Sequence, residues 1–245
     1  AAGWRDFALR TVDAVGGRVA AVKPQSAFFE RHGSAGIAVL EETLAALRDV
    51  GTLSVLDVKR GDIGSTMAGY AQAYLSDGAP LAADSITVSP YLGYGSLAPA
   101  LDLAEAGGRG VFVLALTSNP EGTTVQHAVS GERAVAAEVV EGVTASNAAA
   151  RGEGGLGSIG LVVGATVGEA VSRLGIDLLR ANGPLLAPGV GAQGAGATEL
   201  ESVFGPARRH VLASTSRGVL KAGPSIEALR AAALAATHEA AAALR

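Results

Sequence analysis

The sequence predicts an α/β fold, a (β/α)8 TIM barrel in a single domain over residues 1–245, with the first strand of the eight missing from the chain. Three observations carry this. Short β-branched runs alternate with longer Ala/Leu/Glu stretches, the pattern of a parallel sheet covered by helices. The length of 245 residues is that of one such barrel. Charged and polar clusters recur at the C-terminal ends of the predicted strands, which share one mouth in a barrel.

The strand-like runs are residues 19–23, 52–59, 85–89, 110–116, 158–165, 184–188 and 210–216, seven in all where a closed barrel needs eight. An open, doubly wound sheet is the alternative to a barrel lacking one strand. The chain opens on a helical pattern over 2–15. In the helix predicted over 34–48, Ile37, Leu40, Leu44 and Leu47 recur near the 3.6-residue period. Further helices are predicted over 64–76, 95–106, 131–149, 167–173, 196–203 and 224–244. The glycine-rich stretches 150–157 and 189–196 read as a flexible connector and as a loop.

Composition removes several classes of function. Hydrophobic residues make up 49% of the chain and charged residues 17%, which indicates a buried core rather than disorder. A net charge of -4 argues against nucleic acid as a partner. The absence of cysteine excludes disulfides, thiolate metal sites and cysteine nucleophiles. His32, His127, His210 and His238 have no metal-ligand spacing, so no metal site is expected. No apolar run reaches the roughly 20 residues of a membrane span, and the N-terminus carries no signal-peptide core. The expectation is a soluble, cytoplasmic protein with no membrane partner.

The densest chemical signal closes the second strand-like run, where the sequence reads Asp57-Val58-Lys59-Arg60-Gly61-Asp62-Ile63. Alternation puts Leu53, Val55, Asp57 and Lys59 on one face and Ser54, Leu56 and Val58 on the other. The first face turns from apolar to charged as the strand ends, so Asp57 and Lys59 are expected side by side in the barrel mouth. A structural ion pair would read the same way, and Asp62 could act only as a helix cap. Lys23 ends the preceding strand, shares a face with Val19 and Ala21, and is placed to pair with Asp57. At the other side of the mouth, the glycine-rich loop containing Gln193 and the Ser216-Arg217 pair follow successive strands, an arrangement suited to phosphate.

These segments together resemble the orotidine 5'-phosphate decarboxylase family, in its actinobacterial form. The resemblance rests on D-x-K-x-x-D-I at 57–63, KPQSAFFE at 23–30, SPYLGYGSL at 89–97, VLALTSNPEG at 113–122, GSIGLVVGAT at 157–166, LAPGVGAQG at 186–194 and STSRGVL at 214–220. It implies a carboxy-lyase that converts orotidine 5'-monophosphate to UMP, the last step of de novo pyrimidine synthesis, with no metal and no organic cofactor. It further implies that Lys59 stabilises the C6 carbanion and protonates it, that Asp57 faces the departing carboxylate and holds Lys59, and that Lys23 meets the ribose hydroxyls. Asp62, Ile63 and Thr66 would arrive from the neighbouring subunit of a homodimer with a shared site. Ser118 would read the pyrimidine edge, Gln193 and Arg217 would bind phosphate, and Pro188 would line the substrate site. Residues 118–131 are a candidate lid. One family feature has no counterpart: the ribose-binding aspartate of the first strand, a role assigned neither to Asp6 nor to Asp13. A sister barrel acting on a sugar phosphate, and a non-catalytic nucleotide-binding barrel, are the competing readings.

Overall fold

The computed structural model describes residues 2–190 and 196–245. Numbering only the strands of the main sheet, these are β1 (Ala21–Val22), β2 (Leu53–Arg60), β3 (Ser85–Val88), β4 (Gly110–Leu116), β5 (Ile159–Val163), β6 (Leu185–Pro188) and β7 (Val211–Ser214). All seven pair in chain order and every pairing is parallel. Each falls on one of the runs read from the sequence. The helices are α1 (Ala2–Val15), α2 (Ala27–Glu30), α3 (Gly33–Asp49), α4 (Gly64–Leu75), α5 (Ala98–Ala106), α6 (Thr123–Gln126), α7 (Val135–Ser146), α8 (Ala148–Gly152), α9 (Ala170–Arg173), α10 (Ala197–Phe204), α11 (Arg217–Leu220) and α12 (Ile226–Ala243).

Alternation along the strands sorts the core into two layers. Val55, Phe112, Val162 and Leu186 form an inner cluster with Ala21, Leu114 and Leu212. Their sequence neighbours Leu56, Val111, Val113, Leu161 and Leu185, with Ile86 of β3, join the larger cluster that packs against the helices. An inner cluster fed by strands from both ends of the sheet requires the sheet to curl, and this is the TIM-barrel type of fold. The ring of helices closes: Ala14 and Val15 of α1 pack with Leu229 and Ala233 of α12, and Arg230 reaches the Ala14 carbonyl at 3.4 Å. The ladder of strands does not close, because β1 and β7 are not hydrogen-bonded to each other among the described residues.

Two local contacts fix this frame, one inside a strand and one at a helix end. Gly160 faces the inner cluster, and a Cβ there would lie 2.4 Å from the Pro184 carbonyl oxygen and 2.7 Å from the Phe112 ring. Asn147, 2% exposed, ends α7 by donating to the Ile159 and Ala181 carbonyls at 2.7 and 2.8 Å. It anchors the segment expected to be a flexible connector, whose first part is α8.

Three local expectations need correction. The helix read over 131–149 begins only at Val135, because Val129–Ser130 and Arg133–Ala134 pair as a small antiparallel ladder around Gly131. The helix read over 167–173 is reduced to α9, and the short α2 was not foreseen. Four-residue helices are set by tertiary contacts rather than by a repeating apolar stripe. Finally, strict alternation along β2 fails at its end, where Lys59 has φ 46 and the register against β3 shifts between Leu56 and Arg60.

Candidate active site

Asp57 is the centre of the site. Its backbone is clamped by the segment after β1: its N–H donates to the Pro24 carbonyl at 2.9 Å, and its carbonyl accepts the Ser26 N–H at 3.2 Å. Gln25 Nε2 donates to the same carbonyl at 3.1 Å. The side chain points into the mouth, where Asp57 is 5% exposed. Lys23 Nζ donates to Oδ2 at 2.5 Å, and Lys59 Nζ donates to Oδ1 at 2.5 Å. A carboxylate this deep is tolerable only when paired. Burial pushes its pKa up, but the Lys23 and then the Lys59 ammonium outweigh that and hold it below the ordinary aspartate value.

The two lysines differ in exposure. The Lys23 side chain is 19% exposed and that of Lys59 45%. An ammonium carries three donors. With one on Asp57, Lys59 has two more to offer to a ligand in the open mouth. The cluster of two cations and one anion carries a net positive charge, suited to an anion or to negative charge that develops during reaction.

Thr87 completes the cluster and was not among the residues read from the sequence. Its hydroxyl bonds Asp57 Oδ1 at 2.8 Å and the Lys59 amide at 3.0 Å. The signal was available: in Ser-Ile-Thr-Val-Ser the apolar residues Ile86 and Val88 face the helices, so Thr87 must face inward near the strand end.

Of the remaining residues, those described lie at the C-terminal ends of the strands or in segments that follow them, and none of them hydrogen-bonds to this cluster. Asp62 precedes α4, and its Oδ1 accepts the Ile63 N–H at 2.8 Å. Among the described residues it has no ion-pair partner, and Ile63 and Thr66 are exposed. Ser118 follows β4 in an exposed loop beside Gly164, whose Cβ position would be 3.1 Å from the Ser118 nitrogen. Pro188 ends β6 opposite Ser214 of β7. Arg217 opens α11 and is exposed. Gln193 lies outside the described residues. The candidate lid is locally braced, since Gln126 Oε1 accepts the Thr117 N–H at 3.0 Å and Gln126 Nε2 donates to Thr117 Oγ1 at 2.6 Å. No group of three or more His, Asp or Glu side chains disposed to hold a metal occurs among the described residues, and no helix there is long and apolar enough to cross a membrane.

The chain is similar to proteins named orotidine 5'-phosphate decarboxylase. That of Salinispora arenicola is 60% identical over 232 residues, covering 94% of this chain and 81% of the relative. That of Streptomyces coelicolor is 58% identical over 234 residues, covering 95% and 81%. A crystal structure from Streptomyces avermitilis, described as a candidate orotidine 5'-phosphate decarboxylase, superposes with a TM-score of 0.93 at 56% identity, covering 99% of this chain and 83% of that one. The family model "Orotidine 5'-phosphate decarboxylase / HUMPS family" matches residues 4–232. With that match spanning nearly the whole barrel, Lys23, Asp57 and Lys59 included, the chain belongs to the orotidine 5'-phosphate decarboxylase / HUMPS family.

Proposed function

We propose that this protein is a carboxy-lyase that converts orotidine 5'-monophosphate to UMP and CO2 without a metal or organic cofactor. The observation that carries the reading is the half-exposed Lys59 ammonium, held on the buried Asp57 carboxylate with Lys23 on its other oxygen, in a chain 60% identical to a named orotidine 5'-phosphate decarboxylase. In the reaction the bond between C6 and the carboxylate carbon breaks, and its electron pair stays on C6. Lys59 stabilises that charge and delivers a proton to C6, and the amine left behind is reprotonated from water. Stabilisation must come from preorganised charge, because C6 has no adjacent electron sink. Asp57 lies against the departing carboxylate and orients Lys59.

Lys23 serves the ribose, Ser118 the pyrimidine edge, and Gln193 and Arg217 the phosphate, with Pro188 lining the site. Binding energy at the phosphate can drive loop closure over the reacting carbon. The working unit is a cytoplasmic homodimer in which Asp62, Ile63 and Thr66 serve the partner's site. Two features support this. Asp62 has no ion-pair partner within its own described chain, and Ile63, Tyr91 and Leu92, in the loops after β2 and β3, are 61%, 77% and 53% exposed.

The test is a spectrophotometric assay of orotidine monophosphate loss, run with and without EDTA. Lys59→Ala is expected to lower kcat by about a thousandfold or more, since proton delivery and charge stabilisation are lost together. UMP binding should survive. Full turnover in that variant removes the basis of the assignment, and loss of activity with EDTA favours a metal-dependent sister barrel.

A further inference from the structure

The β2–β3 junction explains how a lysine at a strand end is held in one place. Leu56 lies opposite Ile86 and Arg60 opposite Val88. Strand β2 thus advances four residues while β3 advances two. Lys59 sits in the excess stretch with φ 46, a left-handed conformation unusual for a residue with a side chain. In such a bulge a backbone amide loses its partner on the neighbouring strand. Here the Lys59 N–H bonds instead to Thr87 Oγ1, at 3.0 Å.

The directions of the bonds are determined. A backbone N–H can only donate, and an ionised carboxylate can only accept. The Thr87 hydroxyl therefore accepts from Lys59 and turns its own hydrogen to Asp57 Oδ1, 2.8 Å away. That oxygen also accepts the Lys59 ammonium at 2.5 Å. A closed ring results, running from the Lys59 amide to Thr87, to Asp57 and back to the Lys59 side chain. Thr87 is 1% exposed, so no water replaces it at the surface.

We propose that Thr87 is a positioning residue for the decarboxylation. Its single hydroxyl sets both the backbone twist of Lys59 and the orientation of the Asp57 carboxylate, and so fixes where the ammonium points. Thr87 does not touch substrate in this account. It acts on the reaction only through Lys59 and Asp57, and its kinetic consequence rests on the function proposed above.

Valine is nearly isosteric with threonine and offers neither donor nor acceptor. Thr87→Val in the full chain is expected to lower kcat for orotidine monophosphate by about 10- to 100-fold, the equivalent of one hydrogen bond to a charged group. KM should stay within about threefold, because substrate contacts are intact. Thr87→Ser, which keeps the hydroxyl, should recover kcat to within about threefold of the parent. Hydrogen–deuterium exchange gives a readout independent of turnover: the Lys59 amide should exchange faster in Thr87→Val and stay protected in Thr87→Ser. If the valine variant fails to fold, Thr87→Ala takes its place with the same expectations. Parental kcat in the valine variant, a serine variant as impaired as the valine one, or unchanged Lys59 amide exchange would each overturn the proposal. A parent chain that turns over no orotidine monophosphate removes the functional reading alone, and amide exchange then still decides whether Thr87 places Lys59.

Discussion

Replacing Asp57 by Asn tests how much the charge at the centre of the site contributes to folding. The substitution keeps the shape and one acceptor oxygen, and removes the anion shared by two ammonium groups. The two ion pairs do not weigh equally. Lys23, 19% exposed, faces a carboxylate side chain 6% exposed, so that pair counts as buried. Breaking a buried pair from one side costs about 3–5 kcal/mol. Lys59, 45% exposed, is well screened, and its pair is worth about 1 kcal/mol at most. The remaining amide oxygen recovers about 1 kcal/mol through a neutral hydrogen bond. The expected loss at pH 7 is therefore about 2–5 kcal/mol, or roughly 4–20 °C in Tm for a chain of this size.

The pH dependence has a definite sign. Despite burial, the lysines hold the folded-state pKa of Asp57 below its ordinary value. Its contribution is therefore fully present above the unfolded-state pKa, about 3.9. It is lost as pH falls through the lower folded-state value. The gap between parent and Asp57→Asn should narrow from pH 5 to pH 3 as the unfolded chain takes up a proton there. Urea unfolding of both proteins at pH 7, 5 and 3 measures it. A gap below about 1 kcal/mol at pH 7, or one that widens on acidification, would refute the assignment of Asp57 as a paired, ionised group.

Two further outcomes follow, the first from the proposed shared-site homodimer and the second from the packing of the inner layer. Mixing Lys59→Ala with Asp62→Ala subunits should restore activity, up to about one quarter of the parent's at statistical exchange, since one site of each heterodimer keeps both groups; no recovery despite demonstrated exchange argues against a shared site. Gly160→Ala should destabilise the barrel by about 1–3 kcal/mol through overpacking, because its Cβ would press on the Pro184 carbonyl and the Phe112 ring. Trimming that ring with Phe112→Leu should recover part of the loss in thermal unfolding, and equal stability of parent and Gly160→Ala would contradict the inner-layer packing.

Much of this architecture was legible in the chain itself. β-branched runs bounded by glycine and proline mark the seven strands, because a strand buried on both faces needs apolar residues throughout. The switch from apolar to charged along Val55, Asp57 and Lys59, with Lys23 at the preceding strand end, located the charged cluster before any coordinates. Alternation and burial are local rules, and they act on neighbours in the chain. What lay beyond them was decided by contacts between distant residues. The Lys59 backbone turns left-handed only because β2 and β3 fall out of register, and Thr87 joins Asp57 across 30 positions of sequence. A threonine in a strand is ordinary by composition. Only the folded sheet, by setting its hydroxyl between a carboxylate that must accept and an amide that must donate, assigns it a place in the site.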